Sequence, residues 1–154
     1  MNPEFKELYQ EIILEHNRSP RNFGKLEHAT HILDGRNPLC GDQYKIYLRV
    51  QDGLIEEVSF EGSGCAISKA SASVMTTTVK GKTIEEAEDY FKLFHKIVTG
   101  ELDTEETFDS VGKIAAFAGV AEFPVRVKCA SLAWHTMHNA LQGYTNEITT
   151  DDTE

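Results

Sequence analysis

The sequence predicts an α+β fold in which a small three-stranded antiparallel sheet packs against several helices. Three observations lead there. Tyr44, Ile46, Leu48 and Val50 alternate with Lys45, Tyr47 and Arg49, and after Asp52-Gly53 the period of two resumes at Val58 and Phe60, as in an antiparallel hairpin with one buried face. Helical stripes flank this region: Phe5, Leu8, Tyr9, Ile12 and Ile13 before it, and Ile84, Ala87, Phe91, Phe94 and Val98 after it. The length of 154 residues suits one domain, able to bury roughly 70% of the surface of its unfolded chain.

The elements follow in order. Pro3 suits the first turn of a helix that spans residues 3–17, and the turn-rich run Arg18-Ser19-Pro20-Arg21-Asn22-Phe23-Gly24 sets this helix apart as an arm that docks on the domain or on a partner. A first strand is expected near 30–33, ending in the turn that holds Cys40; the second and third strands are those of the hairpin, and Cys65 follows the third. From Ala66 the small residues Ser68, Ala70, Ser71, Ala72 and Ser73 predict a closely packed helix to Lys80, ended by Gly81.

Thr83 and Glu86 have capping-box spacing for the next helix, which ends at Gly100. The acidic stretch 101–110 is expected to be an exposed connection, 111–120 a short apolar helix, and Phe123-Pro124 an interruption. The last helix runs from 126 to 141 and stops at Gly143. Residues 1–143 thus form one domain, followed by a polar, acidic tail over 144–154 that is expected to be flexible.

The net charge of −10 disfavours nonspecific contact with nucleic acid or anionic lipid and suits a partner with a basic docking face; a solubilising surface has the same signature. No apolar run approaches the ~20 residues of a spanning helix, and Glu4 and Glu7 are out of place in a secretory signal. A soluble, cytoplasmic protein without membrane contact is the expectation.

Three cysteines, Cys40, Cys65 and Cys129, are an odd number in a chain that needs no staple, which favours reduced thiols with a chemical task over a disulfide framework. Cys40 lies two residues from the carboxylate of Asp42 in a turn. Cys65 follows Gly62-Ser63-Gly64 and opens the small-residue helix, where the helix dipole favours thiolate. Cys129 stands near the start of the last helix, beside Lys128 and one turn from Arg126. At 100° per residue Arg126, Cys129, Ala133, Thr136 and Ala140 share one sector of that helix.

Three thiols and a carboxylate satisfy tetrahedral zinc, or hold an iron–sulfur cluster with one non-thiol ligand. The wide spacing, with no C-x-x-C pair, is equally that of unrelated buried cysteines. The Gly-Ser-Gly run lacks the Gly-Lys-Ser/Thr of a phosphate loop. His135 and His138 lie about 120° and 180° around the helix from Cys129, and with His16, His28, His31 and His95 they form no cluster.

Three blocks carry a resemblance: Asn37-Pro38-Leu39-Cys40-Gly41-Asp42; Gly62-Ser63-Gly64-Cys65-Ala66-Ile67-Ser68 with Ala70-Ser71-Ala72-Ser73; and Arg126-Val127-Lys128-Cys129-Ala130-Ser131-Leu132-Ala133-Trp134. In this order they resemble the signature blocks of the IscU/SufU family of iron–sulfur assembly proteins, whose domain is that of the NifU N-terminus, and Pro20-Arg21-Asn22 matches the family's opening loop. The chain is similar to the SufU branch. The 100–120 region resembles the SufU insertion, Lys128 stands where IscU scaffolds have histidine, and Phe123-Pro124-Val125-Arg126 replaces their Leu-Pro-Pro-Val-Lys motif.

The resemblance implies a SufE/NifU-like fold with zinc on Cys40, Asp42, Cys65 and Cys129. It further implies that Cys40 accepts persulfide sulfur from a SufS-type cysteine desulfurase, as co-substrate rather than stand-alone enzyme, and that sulfur passes on toward downstream Suf scaffold proteins. Docking on the desulfurase would present a replacement ligand and free Cys40, with Arg126 holding the freed thiolate or Asp42. Two other readings stay open: a scaffold on which an iron–sulfur cluster is built and transferred, and a structural zinc domain for protein interaction alone.

Overall fold

The computed structural model describes residues 3–102 and 111–150. Helix α1 spans Pro3–Arg18, strand β1 His31–Asn37, β2 Asp42–Gln51 and β3 Leu54–Ser63. Helix α2 spans Ala66–Val79 and α3 Ile84–Val98; a 3-10 helix spans Gly112–Glu122, α4 spans Pro124–Leu141, and a two-residue strand β4 spans Ile148–Thr149. The acidic connection expected at 101–110 falls, from 103 onward, outside the described residues.

The predicted α+β architecture is present, with one strand more than expected. The sheet order is β3-β2-β1-β4. The pairs β1·β2 and β2·β3 are antiparallel, and the hairpin turns on Asp52 and Gly53, both at positive φ, the conformation that Asp-Gly adopts most readily. β4 pairs parallel to β1 through Gly35↔Ile148 and Arg36↔Thr149. It comes from the segment expected to be flexible; Ile148 is buried, Thr150 N–H donates to Arg36 O at 3.0 Å, and Arg36 pairs with Glu147 at 3.4 Å.

The inner face of the sheet, with Leu33, Tyr44, Ile46, Leu48, Val58 and Phe60, joins the helices in one core. Each such apolar side chain contributes about 1.5–3 kcal/mol on burial. Trp134 of α4 stacks on Phe94 of α3 at 4.5 Å between ring centroids, and Phe117 meets Phe94 edge-on.

Helix α2 is surrounded, which explains its small residues: Ala70, Ser71, Ala72 and Ser73 are all buried. Its hydroxyls find partners, as buried polar groups must. Ser71 donates to Ala130 O, and Ser73 Oγ accepts from Arg21 N–H at 2.8 Å and meets His16 Nδ1 at 2.7 Å. Helix α1 is therefore no free arm. Tyr9, Ile12 and His16 are buried, while Leu8 and Leu14 of the same helix are exposed.

The capping box of α3 is formed: Thr83 Oγ1 accepts from Glu86 N–H, and Glu86 Oε1 accepts from Thr83 N–H. The apolar segment after 111 is a 3-10 helix, and α4 begins two residues earlier than expected, with Pro124 in its first turn. That is where proline costs the helix nothing. Among the described residues no helix is long and apolar enough to cross a membrane.

Candidate metal centre

The ends of three elements meet where β1 turns into β2. Asn37 closes the turn, its carbonyl accepting from Gly41 N–H at 2.9 Å, and Gly41 takes a positive φ of 73°. Cys40 sits exposed on this turn, while Asp42, the first residue of β2, is fully buried. Cys129 reaches the same point from the second turn of α4 and is 3% exposed. The Cys129 thiol meets Cys40 Sγ at 3.3 Å.

Cys40, Asp42 and Cys129 offer ligand atoms that all lie within 4.8 Å of one another. A tetrahedral ion with Zn–S bonds near 2.3 Å needs ligand atoms roughly 3.8 Å apart, so the spacing fits. Asp42 Oδ1 accepts from Cys65 N–H at 2.9 Å, but Oδ2 is buried without a hydrogen-bond partner among the described residues. A buried carboxylate oxygen left unpaired is costly, and beside two thiols it is an atom that a cation could satisfy. Thiolate with carboxylate is a donor set that zinc accepts.

Cys65 is the fourth predicted ligand, and its sulfur lies outside this trio. It is the N-cap of α2, its Sγ accepting from Ser68 N–H at 3.4 Å. The exposed side chain is thus placed by the helix end it caps, while its backbone reaches Asp42. Ser68 Oγ donates to Cys65 O at 3.0 Å and meets Tyr44 OH at 2.8 Å. Gly64 fits here because it has no side chain: a Cβ would lie 2.5 Å from Ser68 Oγ and 2.6 Å from both Asp42 Oδ1 and Tyr44 OH.

Burial, then the hydrogen bond with Cys40, then the negative charges of Cys65 and Asp42 push the Cys129 thiol well up. Burial likewise raises the Tyr44 phenol, with Asp42, Cys65 and Cys129 adding to it and the Ser68 hydrogen bond opposing. Arg126 shares the expected sector of α4 but is exposed, its guanidinium 4.6 Å from the Phe123 ring centroid. No hydrogen bond or ion pair joins Arg126 to Cys40 or Asp42 among the described residues. His138 pairs with Glu88 and stacks on Phe91, which His135 meets edge-on.

Sequence reasoning gave no role to Asn37, Tyr44, Ser68 or Thr150. Asn37 is fully buried, and its Nδ2 donates to Cys129 Sγ at 3.5 Å. Asn37 and Ser68 stand inside the quoted motifs, so a signal existed for them; Thr150, in a polar tail, had none.

Residues 8–151 match the NifU-like N-terminal domain. The chain belongs to that family. It is similar to the zinc-dependent sulfurtransferase SufU of Bacillus subtilis, with 38% identity over 140 residues that cover 91% of this chain and 93% of that protein. It is also similar to the iron–sulfur cluster assembly scaffold protein IscU of Thermotoga maritima, with 39% identity over 140 residues, 90% of this chain and 95% of the relative. A crystal structure from Fervidobacterium islandicum AW-1, described as a candidate iron–sulfur cluster assembly scaffold for the SUF system, superposes with a TM-score of 0.78 at 37% identity, covering 88% of this chain and 97% of that one.

Proposed function

We propose that this chain is a zinc-dependent sulfur-transfer protein of iron–sulfur cluster assembly, and that Cys40 accepts persulfide sulfur from a SufS-type cysteine desulfurase. The observation that carries this reading is the asymmetry of the two touching thiols: Cys40 is exposed and Cys129 is buried, with the buried Asp42 beside them. Cys40 is open to a partner, while Cys129 and Asp42 would stay behind and hold a metal.

Zinc, when bound, supplies the charge that keeps its sulfur ligands as thiolates at neutral pH. Cys40, Asp42 and Cys129 would hold it, and Cys65 would join them by turning its sulfur away from Ser68 N–H. In the transfer, the Cys40 thiolate attacks the terminal sulfur of the desulfurase persulfide. A new S–S bond forms on Cys40, the old one breaks, and the desulfurase cysteine leaves as thiolate, with no net oxidation.

The surroundings suit docking. Leu39, Phe123 and Val125 are exposed, at 64%, 46% and 51%; Leu39 precedes Cys40, and Phe123 and Val125 stand at the start of the helix that carries Cys129. Such apolar anchors within an acidic surface fit a partner face of apolar pockets and basic residues, met in the cytoplasm.

The second reading is a scaffold for cluster assembly, which the IscU relatives support. Lys128 in place of histidine and the longer interval between Cys65 and Cys129 favour the carrier. The test is to purify the chain aerobically, measure zinc and iron per protein, and add catalytic amounts to a SufS-type desulfurase with reductant. Stoichiometric zinc, acceleration of the desulfurase and loss of that acceleration in Cys40→Ala are expected. Stoichiometric iron with labile sulfide and no acceleration would overturn the carrier reading in favour of the scaffold.

A further inference from the structure

We propose that Asn37, itself held by Thr150, is the positioning residue for Cys129, so that the C-terminal strand β4 is a working part of the metal centre and its docking is coupled to metal occupancy. This rests on the metal-binding part of the reading above.

Asn37 is tied to two of the three converging ligands and to the turn that carries the third. It pairs with Asp42 across the β1·β2 ladder, its carbonyl closes the turn that carries Cys40, and its side-chain Nδ2 donates to Cys129 Sγ at 3.5 Å. The orientation of the amide is decided by its other partners. Leu39 N–H, at 3.2 Å, and Thr150 Oγ1, at 3.1 Å, both reach Asn37 Oδ1. A backbone N–H can only donate, so the oxygen must face it, and the NH₂ group is left facing sulfur.

An N–H aimed at a metal-bound thiolate orients the sulfur and tunes its donor strength, and loss of such outer partners typically weakens metal binding about 10- to 100-fold. Asn37 and Thr150 are 0% and 2% exposed, so water does not compete for these bonds. Thr150 is placed in turn by its N–H to Arg36 O at 3.0 Å and by the burial of Ile148 two residues before it. The contacts Thr150–Asn37–Cys129 therefore link the residue that follows β4 to the sulfur. Coupling between two sites is reciprocal: if β4 helps hold the metal ligand, metal loading must help hold β4.

The experiment uses the full chain and zinc and cobalt as probes. Zinc affinity is measured by competition with a chromophoric chelator for the wild type, Asn37→Ala, Thr150→Val and Thr150→Ser. Asn37→Ala is expected to bind about 10- to 100-fold more weakly, Thr150→Val more weakly by a smaller factor, and Thr150→Ser like the wild type, since it keeps the hydroxyl. In the cobalt-loaded protein, the sulfur-to-cobalt charge-transfer band is expected to shift in Asn37→Ala and, less, in Thr150→Val, a signature that a merely structural asparagine would not move. Zinc loading is expected to slow hydrogen exchange at the Thr150 amide.

Should Asn37→Ala fail to fold, Thr150→Val and Thr150→Ser decide the matter, because neither touches a ligand. Wild-type binding of zinc with both Thr150 variants within two-fold of it and unchanged cobalt spectra would overturn this inference alone. A wild-type chain that takes up neither metal would overturn it together with the metal-binding reading.

Discussion

Cys65 donates its backbone N–H to Asp42 Oδ1 at 2.9 Å while its own sulfur caps α2. One predicted ligand thus orients another through the main chain. The opposite carboxylate oxygen, Oδ2, is left buried and unpaired.

Asp42→Asn separates these two roles. The amide oxygen still accepts from Cys65 N–H, but the charge is gone. Zinc affinity is expected to fall at least ten-fold in chelator competition, while the urea unfolding midpoint of the metal-free protein moves by less than the equivalent of about 1 kcal/mol. A large loss of metal-free stability would show that the carboxylate serves the fold rather than the metal.

Gly64→Ala inserts a methyl group against Asp42 Oδ1, Ser68 Oγ and Tyr44 OH at once. Relief requires Asp42 or Ser68 to move. A destabilisation of about 1–3 kcal/mol, together with weakened zinc binding, is expected. Unchanged affinity in a destabilised protein would mean that Tyr44 gives way and the ligand geometry survives.

Gly35→Ala tests the seat of α4 on the sheet. Its Cβ would lie 2.0 Å from Thr136 Oγ1 and 3.2 Å from Leu132 Cδ1. The expected loss is about 1–3 kcal/mol by chemical denaturation. Because Thr136 Oγ1 bonds Leu132 O of its own helix, Thr136→Ala is cheap, and the double variant is expected to recover much of the loss as a coupling energy.

The pH dependence of stability should carry the mark of His16. Burial, then Arg21 and Lys113, lower this imidazole from 6.5 to about 4, and burial with His95 and His138 lowers His135 to about 4. The unfolded chain therefore binds protons that the folded chain refuses. The stabilisation is complete above pH 6.5 and is lost as pH falls toward 4. His16→Gln, uncharged in both states, is expected to flatten part of that slope in urea midpoints measured between pH 7 and 5; an unaltered slope would exclude His16 as its source.

Local chemistry is what the amino-acid order determined by itself. The capping box of Thr83 and Glu86, the Asp52-Gly53 hairpin, the cap position of Cys65 and the faces of α3 and α4 are decided within a few residues, because helix ends, tight turns and periodicity depend on neighbours in sequence. Three motif blocks were also enough to place the chain in its family.

Tertiary structure alone decided the rest. A two-residue strand has no periodicity to read, so β4 exists because β1 offers it an open edge and Ile148 a place in the core. That His16 of α1 could be buried depended on what α2 presented: Ser73 bonds its ring. The sector shared by Arg126 and Cys129 was correctly drawn, yet one side chain lies in solvent on Phe123 and the other is buried beneath Cys40. Asn37 meets Cys129 and Thr150 only after more than ninety residues of chain have been folded between them; contacts of that separation are made by packing, and local sequence carries no trace of them.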